Sequence, residues 1–363
     1  MAVTGLWLAD FRCFAVAEMH PEPEGLTVLR GANGAGKTSL LEAVGWLATQ
    51  RSIRGAPREA LVRTGATRAV VRAETEISAR RALFEAEIPV AGPGRLQVNR
   101  QPVRTRAEAA TGLDVTVFSP DDLQLVQGGP AVRREYLDDV LATRHARCEA
   151  LVAEVERILR QRAALLRQAG GRLDDTTGAT LEVWDDRLAR SGTALAAERA
   201  ALAGELAAPA AAAYARLAGG EEPMTLRYRR SWEGDLGEAL AAARRDDLRR
   251  QVTTVGPHRD DLDITVGPRP SRTHASQGEQ RSAALALRLA SHALRSAPAP
   301  GPPVLLLDDV FSELDAARAA ALVELLPPGQ VLLTTAVDPP ASVRPDQVLE
   351  VVAGAVVSTV TGR

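Results

Sequence analysis

The chain has 363 residues, 45% of them hydrophobic and 25% charged, with a formal net charge of −2. This is an ordinary soluble composition with apolar material for two or three packed domains, and it excludes a uniformly basic nucleic-acid binder, so any such surface must be a local patch. Aromatic residues, at 3%, are too few for a base-stacking platform, and Cys13 and Cys148 lack the spacing of a zinc site or a disulfide framework.

In chain order, Met1–Phe14 lacks the cationic start and apolar run of a leader. No stretch approaches the ~20 apolar residues of a membrane span, so a cytoplasmic location and no membrane partner are expected. Gly25–Arg30 reads as a strand, Gly31–Gly36 as a glycine-rich loop, and Thr38–Thr49 as a helix with Leu40, Leu41, Val44 and Leu47 on one face. Val70–Glu76 and Ala82–Val90 have strand character, with turns at Ala91–Gly94 and around Asn99–Pro102. From about Val132 the period becomes helical, with Leu151, Val155, Ile158, Leu159, Leu165 and Leu166 on one face. A second helical tract runs from about Leu181 to Leu217 without sustained heptads, which predicts no long coiled-coil arm. Arg227–Trp232 reads as a strand and its edge, and Leu236–Arg250 as a helix. Strand and helix then alternate again: Gln280–Leu294 helical, Pro298–Pro303 a break, Val304–Leu307 a buried strand, Leu314–Leu326 a helix, Val331–Thr335 a buried strand.

Two of these segments carry phosphate chemistry. Gly31-Ala32-Asn33-Gly34-Ala35-Gly36-Lys37-Thr38 fits G-x-x-x-x-G-K-[ST] between a strand and a helix. Glycines at this spacing let backbone N–H groups curl around a polyphosphate, and the helix start faces the same charge. Lys37 would reach the β- and γ-phosphates of ATP, and the Thr38 hydroxyl would ligate Mg²⁺. Lys37 is the one lysine in a chain whose other strong cations are all arginine, and arginine cannot replace a compact ammonium at a tight phosphate site. Val304–Leu307 ends in Asp308 and Asp309. Asp308 is expected to hold Mg²⁺, and Asp309 to orient or deprotonate the attacking water. Ser312 is expected to cap the next helix, with Asp315 near its third position.

Ala275–Arg281 resembles the signature segment of ABC ATPases, in which a serine-led helix start receives the γ-phosphate of a nucleotide held by another subunit. Ser276, Gln277 and Gly278 would be the contacts, and Ser312–Asp315 stands where that superfamily has its D-loop. The order of these motifs points to two protomers, head to tail, sandwiching two nucleotides, so that ATP holds the homodimer together.

Nearly the whole chain is similar to the RecF family, bacterial recombination-repair ATPases related to SMC proteins. The likeness rests on Leu8–Phe14, Gln50–Arg54, Val117–Leu123, Leu125–Arg134, Arg160–Leu166, Val183–Asp185 and above all Gly256–Leu262 (GPHRDDL). It implies an α/β fold: a P-loop ABC-type ATPase head with a mixed sheet, at residues 1–120 and 251–363, plus a compact, mostly helical lobe at 121–250. It further implies slow ATP hydrolysis acting as a switch, an ATP-dependent dimer, and binding to double-stranded or gapped DNA. RecR, and RecO in the same pathway, would be partners in helping RecA load. Thr334-Thr335-Ala336 replaces the switch histidine of transporter ATPases, leaving Thr335 as a candidate γ-phosphate sensor. Gln124 and Gln127 both compete for the Q-loop role. A small-substrate kinase and a transporter ATPase subunit are the alternative readings.

Arg51, Arg54, Arg58, Arg63, Arg68 and Arg72 form the densest basic stretch of the head. Two readings compete, contact with DNA phosphates or a solvated surface. Arg227, Arg229 and Arg230 form a second candidate; at Arg244, Arg245, Arg249 and Arg250 helix-surface pairing is favoured. For His258 and Arg259, pairing with Asp260 and Asp261 in a structural corner is favoured over contact with nucleotide or DNA.

Overall fold

The computed structural model describes residues 1–172, 174–220, 222–297, 301–337 and 343–358. The strands and helices, in order, are β1 (Ala2–Phe11), β2 (Phe14–Met19), β3 (Gly25–Arg30), α1 (Lys37–Thr49), β4 (Arg68–Ile77), β5 (Arg80–Pro89), β6 (Arg95–Val98), β7 (Gln101–Pro102), α2 (Arg106–Ala110) and β8 (Val115–Phe118). Then come α3 (Gln124–Gln127), α4 (Pro130–Arg144), α5 (Ala146–Ala169), α6 (Asp175–Ala218), β9 (Met224–Arg229), α7 (Leu236–Arg250), β10 (Asp261–Val266), β11 (Arg269–Pro270) and α8 (Ser271–His274). The chain continues with α9 (Gln277–Ser296), β12 (Val304–Asp308), α10 (Ala316–Leu325), β13 (Gln330–Thr335), β14 (Gln347–Val352) and β15 (Ala355–Ser358). Part of the expected break at 298–303 lies outside the described residues.

Two compact units result: Met1–Leu123 with Pro209–Glu221 and Ser276–Arg363, and Gln124–Ala208 with Glu222–Ala275. This differs from the expected division, because 209–221 group with the first unit and 251–275 with the second. The reason is strand pairing. β10 lies antiparallel to β9, Asp261 opposite Arg229 and Ile264 opposite Leu226, in the sheet β11-β10-β9. Sequence period is local and does not report such a partner.

The first unit holds two sheets, β2-β1-β4-β5-β6-β7 and β15-β14-β3-β13-β12-β8. The first is antiparallel throughout; in the second, β8, β12, β13, β3 and β14 run parallel. Helix α1 lies in the core between them, with Leu40, Leu41, Val44 and Leu47 packed alongside Leu6, Phe14, Val71, Leu306 and Leu332. It is buried on nearly every side, not on one face as expected, the pattern of a helix enclosed by two layers. Because β3, β12 and β13 are parallel neighbours, their carboxyl ends open together, the usual place for a ligand in such a sheet.

The second unit is mainly helical. Several of its charged residues are paired and buried: Arg133 with Asp261 at 2.7 Å, Arg199 with Asp138 at 2.6 Å, and the fully buried Arg162 with Asp185 at 2.8 Å and Asp247 at 2.7 Å. Helix α6 has 44 residues and contains Pro209. It starts earlier than expected because Asp174 accepts a hydrogen bond from the Thr177 amide at 2.7 Å, an end-capping contact that apolar periodicity does not reveal. Among the described residues no helix is long and apolar enough to cross a membrane.

Candidate functional site

The loop 31–36 leaves the end of β3 and turns into α1. Gly34 and Gly36 have φ of 81° and 113°, where a side chain is strained. A Cβ on Gly36 would also stand 2.6 Å from the Phe14 ring and 2.8 Å from Cys13 Sγ, and one on Gly31 only 2.2 Å from the Val351 carbonyl oxygen. Gly31 and Gly36 are therefore dictated by segments far away in sequence. Lys37 folds back over the loop, its Nζ donating to the carbonyls of Gly31 at 2.8 Å and Ala32 at 3.0 Å.

Opposite stands the end of β12. Register pairs Asp308 with Thr334 of β13. Asp308 Oδ1 accepts from the hydroxyls of Thr38 and Thr334, both at 2.7 Å. The Asp309 amide donates to Thr334 Oγ1 at 2.9 Å. Asp309 itself is left-handed, with φ 49°, a conformation that costs about 1–3 kcal/mol in a non-glycine residue and persists only when its surroundings hold it. Ser312 Oγ donates to the Asp309 carbonyl at 2.8 Å and to its Oδ2 at 3.0 Å, while Oδ1 is buried with no hydrogen-bond partner among the described residues. A cleft of about 590 Å³ opens here, lined by Asn33, Gly34, Gly36, Lys37 and Thr38 on one side and Asp309 and Thr334 on the other.

Thr335, the expected sensor, is turned away: its hydroxyl donates to the Val337 carbonyl at 2.7 Å. Thr334 takes that place because side chains alternate along a strand, and the register puts it beside Asp308. Arg12 was not anticipated. It lines the cleft together with Cys13 and Arg54, and its guanidinium clasps the fully buried Glu42 carboxylate at 2.6 and 2.7 Å. The available signal was a glutamate inside an otherwise apolar helix, which requires a cation.

Ser276, Gln277 and Gly278 do not line this cleft. Ser276 caps α9, accepting from the Glu279 amide at 3.3 Å while Glu279 Oε2 accepts from the Ser276 amide at 2.7 Å. Those bonds hold the Glu279 carboxyl below its usual range, the backbone contact first. The cap of α10 is Asp315, not Ser312 as expected: Asp315 Oδ1 accepts from the Arg318 amide at 2.9 Å. Ser312 is committed to Asp309 instead.

The basic stretch is partly neutralised. Arg63 pairs with Asp10 at 2.7 Å, Arg68 with Glu87 at 2.9 Å and Arg72 with Glu85 at 3.2 Å. The latter two pairs lie across β4 and β5, a partnership only the sheet creates. Arg51, Arg54 and Arg58 are exposed, and Arg58 donates to the Gly92 carbonyl at 3.2 Å. In the second unit Arg229 pairs with Asp263 and Arg230 lies over Trp232. Arg244 reaches Asp185 and Glu182, while Arg249 and Arg250 pair with Asp246. His258 and Arg259 do form a structural corner, but with the Thr253 carbonyl, at 2.9 Å and 3.2–3.3 Å. Asp260 and Asp261 serve Tyr228, Ser231 and Arg133. Gln124 and Gln127 lie in α3, and neither lines the cleft.

The family described as the RecF/RecN/SMC N-terminal domain matches residues 2–351. The RecF of Kineococcus radiotolerans, named a DNA replication and repair protein, is 44% identical over 377 residues, covering 95% of each chain. The chain belongs to the RecF family. A second RecF, from Streptomyces avermitilis, is 44% identical over 356 residues, covering 93% of this chain and 94% of its own. The solved structure of a RecF with ATP, described as a recombination mediator of the RecFOR pathway, superposes with TM-score 0.89 at 26% identity, covering 99% of this chain and 98% of the other. The Smc head domain of Pyrococcus furiosus, at TM-score 0.58, 17% identity and 99% and 96% coverage, shares the fold. This RecF-family chain thus has an SMC-type ATPase head with a mainly helical second unit and, among the described residues, no long coiled coil.

Proposed function

We propose that this chain is an ATP-gated DNA-repair factor whose nucleotide lies in the cleft between the 31–38 loop and Asp308–Asp309. One observation carries this reading. Lys37, Thr38, Asp309 and Thr334 come from three separate parts of the sequence and line one cleft at the ends of β3, β12 and β13, and Asp308 accepts hydrogen bonds from two of them, Thr38 and Thr334. The amides of 31–36 and the α1 start receive the phosphates, and Lys37 exchanges two loop carbonyls for phosphate oxygens. Thr38 Oγ1 and Asp308 Oδ1, a hydroxyl and a carboxylate in contact, are hard oxygen donors suited to Mg²⁺; when bound, the ion would neutralise phosphate charge. Asp309, with one carboxylate oxygen unpartnered, orients the attacking water.

Hydrolysis is a slow switch. The α9 start, with Ser276, Gln277 and Gly278, receives the γ-phosphate of a second copy, so ATP binding assembles a homodimer. DNA, double-stranded or gapped, is the next partner. Its phosphates meet the exposed Arg51, Arg54 and Arg58. RecR, with RecO in the same pathway, completes the work of helping RecA load, in the cytoplasm. Family membership leaves the kinase and transporter-subunit readings without support.

The test is Lys37→Met. Equilibrium dialysis with MgATP should show affinity reduced by roughly two orders of magnitude, the scale expected when a charge-assisted hydrogen bond is removed. Unchanged affinity would remove the cleft from the nucleotide's path. Ser276→Arg should leave ATP binding by the monomer intact and abolish the ATP-dependent dimer.

A further inference from the structure

Gly278, the second residue of α9, has no side chain, and the space is taken by Arg318 of α10. The guanidinium carbon and both its terminal nitrogens lie 3.0 Å from where a Cβ on Gly278 would stand. The planar group therefore lies flat on the backbone of the α9 start. Its Nη1 pairs with Asp315, the residue that caps α10, while Nε is buried with no hydrogen-bond partner among the described residues. Asp315 accepts from the Arg318 amide and from the guanidinium, and the amide bond above all lowers its pKa.

We propose that Arg318 is a phosphate-binding residue of the half-site that the α9 start offers to a second copy, held in reserve by Asp315. This rests on the reading of Ser276–Gly278 given above. Three physical points carry it. The first N–H groups of a helix have no intrahelical acceptor, so an anion at Gln277 and Gly278 gathers there. A guanidinium pressed against that same backbone stands one side-chain rotation from such an anion and can meet it with two parallel N–H donors. Its present partner is a weak hold: the pair is three residues apart on one helix and half exposed on the carboxylate side, where ion pairs contribute little. A triphosphate terminus carries more charge than one carboxylate. It wins the guanidinium, and the exchange ties ATP arrival to the α10 start as well as to α9.

This mechanism and a purely structural clamp differ in sign at Asp315. Asn caps a helix as well as Asp does, so Asp315→Asn keeps the α10 start but frees the guanidinium from its counter-charge. Sedimentation velocity of the full chain in MgATP gives the dimer dissociation constant for wild type, Arg318→Met and Asp315→Asn. Nucleotide affinity is measured separately at concentrations below dimerisation. Arg318→Met should weaken the dimer by roughly ten- to a hundredfold, the worth of a charge-assisted hydrogen bond, with the monomer's ATP affinity unchanged. Asp315→Asn should tighten it. A wild-type dimer constant in Arg318→Met overturns the assignment, and so does an Asp315→Asn dimer weakened as much as Arg318→Met. If instead Ser276→Arg dimerises normally with ATP, the failure lies in the reading of the α9 start itself.

Discussion

Thr334 and Thr335 offer a test in which the register alone decides the outcome. Thr334→Val keeps the side-chain volume but removes a hydroxyl that donates to Asp308 Oδ1 and accepts from the Asp309 amide. Both Asp308 and Thr334 are buried, at 6% and 0% exposure, so water does not take the place of the hydroxyl. Donation to a carboxylate contributes about 1.5–3 kcal/mol and acceptance from an amide about 0.5–1.5, for a total of about 2–4.5 kcal/mol. Urea unfolding should show that loss. The same change releases Asp309 from the hydrogen bond that fixes its left-handed backbone. ATP turnover should therefore fall by at least about tenfold, equivalent to ~1.4 kcal/mol of barrier, while ATP affinity falls less. Thr335→Val, losing neutral bonds to Val337, should lower stability by about 1–3 kcal/mol and leave turnover near wild type. Equal effects on turnover, or a larger one at Thr335, would refute the placement of Thr334 beside the acidic pair.

Arg162→Leu leaves Asp247 buried without its cation, while Asp185 keeps Arg244, and should cost about 3–5 kcal/mol in denaturant unfolding; replacing Asp247 by Leu as well should recover part of it, and a cost under about 1 kcal/mol would contradict the buried network. Burial lowers the His292 imidazole to about 4 from 6.5, so it stays neutral in the fold. Its contribution is then complete above pH 6.5 and lost as pH falls toward 4, by about 3 kcal/mol. His292→Gln should flatten that slope, and an unchanged urea midpoint difference between pH 7 and pH 5 would count against it. Gly36→Ala, at φ 113° and against Phe14 and Cys13, should abolish ATP binding in dialysis, whereas Gly34→Ala, with nothing within 4 Å of its Cβ, should weaken it through backbone strain alone.

The site's chemistry was legible wherever it is written in adjacent residues. The loop from Gly31 to Thr38 and the strand ending in Asp308–Asp309 each combine a backbone conformation with a side chain a fixed few positions away. Spacing of that kind survives in one dimension, as does the apolar period from Leu151 to Leu166 that marked α5. The family-like segments could be seen but not explained. LVQGGPAVRR and GPHRDDL meet as Arg133 and Asp261, and RQRAALL and VWD meet as Arg162 and Asp185.

What the tertiary structure alone decided is who faces whom. Arg12 belongs to the cleft because the turn after β1 passes beside α1, and Glu42 gives its cation a buried partner. Thr334 rather than Thr335 serves the acidic pair because β12 and β13 are parallel in one particular register. Arg63, Arg68 and Arg72 were neutralised by carboxylates on other strands. Helical and strand periods are set by backbone sterics within a few residues, whereas ion pairs, register and close approach arise from packing between segments far apart in the chain, where local pattern carries no information.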